Sequence, residues 1–330
     1  MKLLKILILI FIIAWAIWFV KFAKHYAHNG ELKRNADVWG VTFSTKFVDE
    51  LGLNVNEVYT AMLDDLQVKQ IRLPIYWDQI EKNEGEFNFS VFDELLAEGV
   101  ERDVKFVANL GWRLPRWPEC HAPTWTQDMP IGDIQNKTFS MLKIAIDHYK
   151  DHPEIVAWQI ENEPLVDWFG DCPAGDEEFL KQEVELVKSL DDRPIIISAS
   201  GELSMWKREA EIGDVLATTL YRVVWNPWFK YFRYPLPASF YNWKAERVDK
   251  VGEQMIISEL QAEPWVPNGT LAELPDNEIN KSFDLRQMES NLQFAQKINF
   301  SKNYLWGVEW WYLRKINGDD SYWNLAKQLF

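Results

Sequence analysis

The 330-residue chain contains 15 glycines, and no two of them are separated by a single residue, so a GxGxxG dinucleotide turn cannot occur anywhere. Neither a GxxxxGK[ST] phosphate loop nor a GxSxG nucleophile elbow is present, which removes the usual sequence signals for nucleotide binding and serine hydrolysis. Cysteine is scarce, with only Cys120 and Cys172, and there are only five histidines. His148 and His152 stand four apart, but the stretch HYKDH lacks the glutamate of an HExxH zinc helix and stops at Pro153. These absences leave no cofactor and no metal implied. Positive charge is also short. Residues 1–24 hold Lys2, Lys5, Lys21 and Lys24 and no acidic residue, so the remainder carries 31 basic against 50 acidic side chains, a formal charge of −19. Nucleic-acid binding draws most of its affinity from Lys and Arg on phosphates, so a nucleic-acid partner is not expected.

What the chain has in excess is tryptophan, 18 residues in a sequence that is 15% aromatic. Leu, Ile and Val already supply a core, so part of this aromatic surface is available to ligands. The other conspicuous feature is an uncharged run from Ile6 to Val20, ILILIFIIAWAIWFV. Extended to residues 3–22, it reaches about 20 residues, enough to cross a bilayer, with Lys5 and Lys21 able to snorkel to the interfaces. The flank VKFAKHYAH offers Lys and His where a cleavage site needs small residues. Residues 1–24 are therefore expected to be an uncleaved membrane anchor, residues 25–36 a juxtamembrane linker, and the rest an extracytoplasmic domain. In such a compartment Cys120 and Cys172 are either one disulfide or two free thiols.

Beyond residue 36, apolar runs alternate with helical patterns, the signature of a parallel sheet. Eight runs are rich in Val, Ile, Leu and aromatics: residues 38–43, 68–75, 104–110, 155–160, 194–199, 215–220, 255–260 and 304–310. Helices are predicted over 46–66, 91–102, 138–150, 176–190, 205–212, 239–251, 282–298 and 322–329. Eight such units predict a closed (β/α)8 TIM barrel over residues 37–330, with one catalytic domain and no sign of a protein partner. Long connections follow strands three (111–136), six (221–237) and seven (261–280), and such βα loops build the active face of a barrel.

Strand four ends in WQIENEP and strand seven in IISELQAEPW. Catalytic groups of barrels stand where strands stop, so Glu163 and Glu259 are expected to face each other across the mouth. Two carboxyls about 5–5.5 Å apart are what a retaining glycosidase needs, one as proton donor and one as nucleophile. Asn-Glu-Pro ending strand four with Glu ending strand seven resembles glycoside hydrolase clan A, the group that includes many cellulases, mannanases, xylanases and β-galactosidases. The resemblance covers residues 37–330. It implies hydrolysis of a β-linked carbohydrate substrate, Glu163 as acid/base and Glu259 as nucleophile. It further implies Asn162 as the ligand of the substrate 2-hydroxyl, Arg72 as the cation that keeps the nucleophile ionised, Tyr221 as its hydrogen-bond partner, and a strand-eight platform at Trp310 or Trp311. Strand three ends in ANLGW and strand six in Tyr221-Arg222, without the histidines of the cellulase family pattern.

Trp112 and Trp265 are further candidates for stacking on sugars, His121 for touching substrate from the strand-three loop, and Glu161, Glu263 and Glu309 lie near the mouth, with Glu161 expected to turn inward or bind sugar. A carbohydrate-binding protein without turnover and a transglycosylase using the same residues are the alternative readings.

Overall fold

The structure, a computed structural model, describes residues 8–9, 11–18, 20–21, 34–267, 269–298 and 300–330. Eight parallel strands close into a barrel: β1 (Trp39–Thr42), β2 (Gln70–Pro74), β3 (Lys105–Leu110), β4 (Ile155–Ile160), β5 (Ile195–Ala199), β6 (Val215–Leu220), β9 (Met255–Gln261) and β10 (Lys302–Trp306). A two-stranded antiparallel hairpin, β7 (Val223–Asn226) and β8 (Lys230–Arg233), stands in the connection after β6. The barrel is the expected (β/α)8 TIM barrel.

The strands are short because each needs only enough residues to cross a core covered on both faces. One side of each strand packs against the helices in a large shared core that includes Ile71, Phe106, Trp158, Ile197 and Leu260. The other side fills the barrel interior, where Val107, Ala157, Ile196, Ala217, Ile256 and Tyr304 form a cluster of their own. Gly40 faces that interior on β1. A Cβ there would meet the Gln70 carbonyl at 2.6 Å and the Tyr304 ring at 2.9 Å, so the missing side chain makes room for the tyrosine.

Several boundaries depart from the sequence expectation, each for a local reason. Residues 46–66 do not form one helix: it breaks at Gly52, in the left-handed region at φ +67°, between Thr45–Glu50 and Val55–Ala61. Asn54 then caps the second piece by accepting from the Glu57 amide at 3.1 Å. Strand eight stops at Trp306 instead of residue 310. Gly307 takes φ +132°, a conformation that side chains rarely adopt, and the helix Val308–Ile316 begins at once. The connection read as a loop over 221–237 contains the β7–β8 hairpin.

Half of the expected anchor lies outside the described residues, as do residues 25–33 of the linker. Residues 8, 9, 11–18, 20 and 21 are helical, with Phe11, Trp15 and Trp18 exposed. No helix among the described residues is long and apolar enough to cross a membrane.

A Cβ at position 307 would sit 2.7 Å from that of Glu263 and 3.0 Å from the Ala262 carbonyl. Gly307→Ala is therefore expected to destabilise the barrel by about 2 kcal/mol, from backbone strain plus crowding. The check is the urea midpoint of the variant against the parent, which should fall with an unchanged slope.

Candidate active site

The two expected carboxylates reach the mouth by different backbone devices. On β9, Ile256 faces the interior while Ile257 and Leu260 face the helices, which leaves two residues between outward positions where strict alternation allows one. The register against β6 jumps correspondingly, from Thr218–Ile257 to Thr219–Glu259. This β-bulge at Ser258–Glu259 turns Glu259 into the barrel mouth. After β4 the chain departs instead through left-handed residues, Glu161 at φ +59° and Glu163 at φ +45°. Each conformation costs about 1–2 kcal/mol for a residue with a Cβ, and together they send the two side chains in different directions.

Glu163 faces the mouth, where its Oε1 accepts from Thr219 Oγ1 at 3.2 Å, and its backbone amide donates to Ser198 Oγ at 2.8 Å. Glu161 is directed behind the mouth and accepts from the backbone amides of Trp112, at 2.7 Å, and Arg113. Gly111 permits this approach, since a Cβ on it would lie 2.5 Å from Glu161 Oε1. Behind Glu161 stands Glu183, on a small cavity of about 50 Å³. Burial and the neighbouring Glu161 push Glu183 far up, and burial raises Glu161 to about 6. Glu161 thus anchors a loop, contrary to the expectation that it fills the barrel or binds sugar.

Arg72 is the hub of the mouth and is completely buried. Its Nε donates to Gln159 Oε1 at 2.7 Å, one terminal nitrogen to Asn162 Oδ1 at 2.7 Å, and the other to Glu259 Oε1 at 3.2 Å and Thr42 Oγ1 at 3.5 Å. Tyr221 donates its hydroxyl to the second oxygen of Glu259 at 2.9 Å. Burial, and then the charge of Glu259, hold that phenol well above its ordinary pKa, so it remains a neutral donor. Glu163 receives no cation of its own. Burial first, and the charge of Glu259 second, push it from 4.5 up to about 8, against smaller downward effects from Arg113 and the Thr219 hydrogen bond. One carboxyl is thereby surrounded by donors and the other is kept protonated near neutrality, the division of labour that acid/base chemistry requires.

Arg72, Asn162, Glu163, Tyr221 and Glu259 are therefore brought together at the mouth. Trp265 joins them at the rim, with its ring 5.6 Å from that of Tyr221 and perpendicular to it. Trp112 is half-buried and contributes its backbone amide to Glu161. The expected platform is corrected: Trp310 and Trp311 lie on the helix after Gly307 and are buried. Trp310 packs on Phe283 and Tyr322, and Trp311 donates its indole N–H to the Ala262 carbonyl at 2.7 Å. The tryptophan that ends the strand is Trp306. His121 is also withdrawn from the mouth, buried beside Tyr76, with its Nε2 3.1 Å from the Arg116 carbonyl and its pKa lowered to about 3 by burial.

The residues that sequence reasoning missed come from the loop after β3. Glu119 is buried, with Oε2 accepting from Asn162 Nδ2 at 3.3 Å, and burial plus the charge of Glu259 raise its pKa well above the usual range. Arg116 packs its guanidinium between the rings of Phe47, at 3.4 Å, and Trp306, at 3.9 Å. It also pairs with both oxygens of Glu263 and, at 3.4 Å, with Glu309. Arg113 donates to the carbonyls of Val166 and Phe169, both at 2.6 Å. Cys120 and Cys172 are joined in a disulfide, which resolves the alternative left open by the sequence. The available signal was RLPRWPEC, two arginines and a glutamate in one βα loop. Among the described residues no group of three or more His, Cys, Asp or Glu is arranged to hold a metal ion.

No family model matches the sequence, and no curated protein does. Solved structures do match in fold. The xylanase 10B of Thermotoga maritima aligns with a TM-score of 0.59 at 14% identity, over 89% of this chain and 95% of that one. The xylanase 10B of Thermotoga petrophila, in complex with xylobiose, aligns at 0.57 and 15% identity, over 85% and 86% of the two chains. A β-galactosidase from the haloarchaeon Halorubrum lacusprofundi aligns at 0.53 and 13%, over 82% of this chain and 52% of that one. At such identities the likeness is one of fold.

A carboxyl that binds its proton more tightly when folded than when unfolded makes stability fall as pH rises between the two pKa values. For Glu163 that window runs from 4.5 to about 8. Glu163→Gln, which cannot ionise, is expected to match the parent in thermal stability near pH 4.5 and to exceed it increasingly towards pH 8. Parallel melting curves across this range check the sign.

Proposed function

We propose that the chain is a retaining glycoside hydrolase acting on β-linked oligo- or polysaccharides, with Glu259 as nucleophile and Glu163 as acid/base. The observation that carries this reading is the unlike environment of the two carboxyls: Glu259 accepts from Arg72 and Tyr221, whereas Glu163 is pushed up to about 8. In the first step Glu163 gives its proton to the leaving oxygen as the glycosidic C–O bond breaks and a Glu259 oxygen bonds the anomeric carbon. In the second, Glu163, now ionised, takes a proton from water, whose oxygen displaces Glu259 and releases the sugar. Asn162 has its Oδ1 occupied by Arg72 and Ser198, which leaves Nδ2 as its donor end, one hydrogen directed at Glu119 and the other proposed for a sugar hydroxyl. The xylanase and β-galactosidase folds named above support a β-glycoside as substrate.

The reading extends to location. The uncharged run within residues 3–22 is proposed to tether the chain to a membrane, with the barrel outside the cytoplasm. The Cys120–Cys172 disulfide supports this, because such bonds persist in oxidising compartments. Membrane fractions washed with alkaline carbonate should retain the full-length chain; its release into the wash would remove the anchor.

Incubation of the full-length protein with a panel of 2-deoxy-2-fluoro glycosides is expected to leave a covalent adduct on the peptide carrying Glu259, located by mass spectrometry. Label on another residue, or turnover that persists in Glu259→Ala, overturns the assignment. Because Glu163 must hold its proton to act as the acid, kcat/KM is expected to decline as pH rises through about 8.

A further inference from the structure

We propose that the rim of the mouth carries a binding platform for an uncharged polysaccharide chain, formed by Trp265, Phe169 and Trp117, so that the substrate is a neutral polymer and not a short or acidic saccharide. The proposal rests on the glycosidase reading and adds the class of substrate. Its first support is continuity. Tyr221, whose hydroxyl binds Glu259, contacts Trp265 at 5.6 Å between ring centres; Trp265 contacts Phe169 at 6.2 Å; and Phe169 contacts Trp117 at 6.1 Å. Successive rings thus lead outward from the nucleophile, and Trp117 at the far end is 67% exposed. A solvated indole at that position offers a flat apolar face to the C–H side of a pyranose ring.

The second support is construction, since mobile aromatic side chains would lose much of their affinity to ordering. The segments bearing Trp117 and Phe169 are fastened together by the Cys120–Cys172 disulfide, by the Asp171 amide donating to the Pro118 carbonyl at 2.9 Å, and by Arg113 on the Phe169 carbonyl at 2.6 Å. Trp265 is held separately, its backbone amide donating to Ser282 Oγ at 2.9 Å. Gly170 completes the seam, at φ +88°, where a Cβ would lie 2.9 Å from that of Glu119.

The third support is charge. Residues 111–123, 161–175 and 261–270, which carry the three rings, contain only two cationic side chains, Arg113 and Arg116. Both are buried, Arg113 on backbone carbonyls and Arg116 on Glu263 and Glu309. Exposed Asp167 and Asp171 flank the aromatic pair Trp168-Phe169. A uronate or sulfated chain would meet carboxylates on these segments and no free cation from them, whereas a neutral chain loses nothing by lying across the rings.

The test is native affinity electrophoresis of the full-length protein in a mild non-ionic detergent, through gels cast with xylan, mannan, mixed-linkage β-glucan or polygalacturonate. At least one neutral polymer is expected to retard the protein and polygalacturonate is not. Trp117→Ala should weaken the retardation about tenfold, the loss of one aromatic contact, and Trp117→Tyr should restore most of it. Met205→Ala, at an apolar side chain 78% exposed on the connection after β5, which carries none of the three rings, should leave retardation unchanged. Glu259→Gln should also still be retarded, which separates the platform from the chemistry: failure of Glu259 to label would sink the hydrolase reading without touching this result. The platform is overturned if no neutral polymer retards the protein, if Trp117→Ala runs like the parent, or if polygalacturonate retards as strongly as the neutral polymers.

Discussion

The mouth of this barrel is organised by one buried cation. A guanidinium without access to water needs its charge answered and its N–H groups satisfied, and removing a partner from such a group typically costs 3–5 kcal/mol. Arg72, on β2, obtains its partners from three other strands: Thr42 from β1, Gln159 and Asn162 from β4 and its exit, and Glu259 from β9. The same contacts that keep the arginine buried therefore fix the relative positions of the two segments that carry the carboxyls. Stability and site geometry are here one constraint, because Glu259 cannot leave the mouth without exposing or orphaning Arg72.

Around this hub the protein keeps an unusual number of acids close together. The charge of Glu259 raises the pKa of both Glu119 and Glu163, and Glu263 and Glu309 share Arg116 a short way off. Like charges at close quarters cannot all ionise, so protons must be held by some of them, and the arrangement of cations decides which. Arg72 stands against Glu259, and Arg116 against the second pair. Glu163 and Glu119 are left without a direct ion pair, and burial beside Glu259 pushes both towards the protonated form. The packing of Arg116 between Phe47 and Trp306 also uses an aromatic face that would otherwise be open at the end of β10.

The strands were legible because doubly covered parallel strands are continuous apolar runs, and Ile155–Ile160 and Val215–Leu220 fall where the pattern puts them. The carboxyls were legible because Glu163 and Glu259 stand at the ends of such runs. Where apolar content did not change at a boundary, the reading failed: YLWGVEWW is equally hydrophobic on either side of Gly307, so the switch from strand to helix was invisible and Trp310 and Trp311 were assigned to the mouth. The roles of Arg113, Arg116 and Glu119 were hidden for a different reason. Loops have no periodicity, and the partners of these side chains lie 40 to 200 positions away in the sequence or on backbone atoms that carry no residue-type signal. Even the direction of Glu161 depends on a backbone angle that the sequence ENE does not disclose.

The bulge at Ser258–Glu259 separates two properties that are usually inherited together. Ile257 and Leu260 both anchor β9 in the outer core, and the residue count between them is one more than a regular strand requires. Loss of a single codon in this interval would restore regular pleating and keep both anchors seated, while leaving one inward position where there are now two. A lineage could thus pass from an acid-bearing mouth to a silent scaffold, or back, by a one-residue length change in a strand whose hydrophobic anchors stay the same.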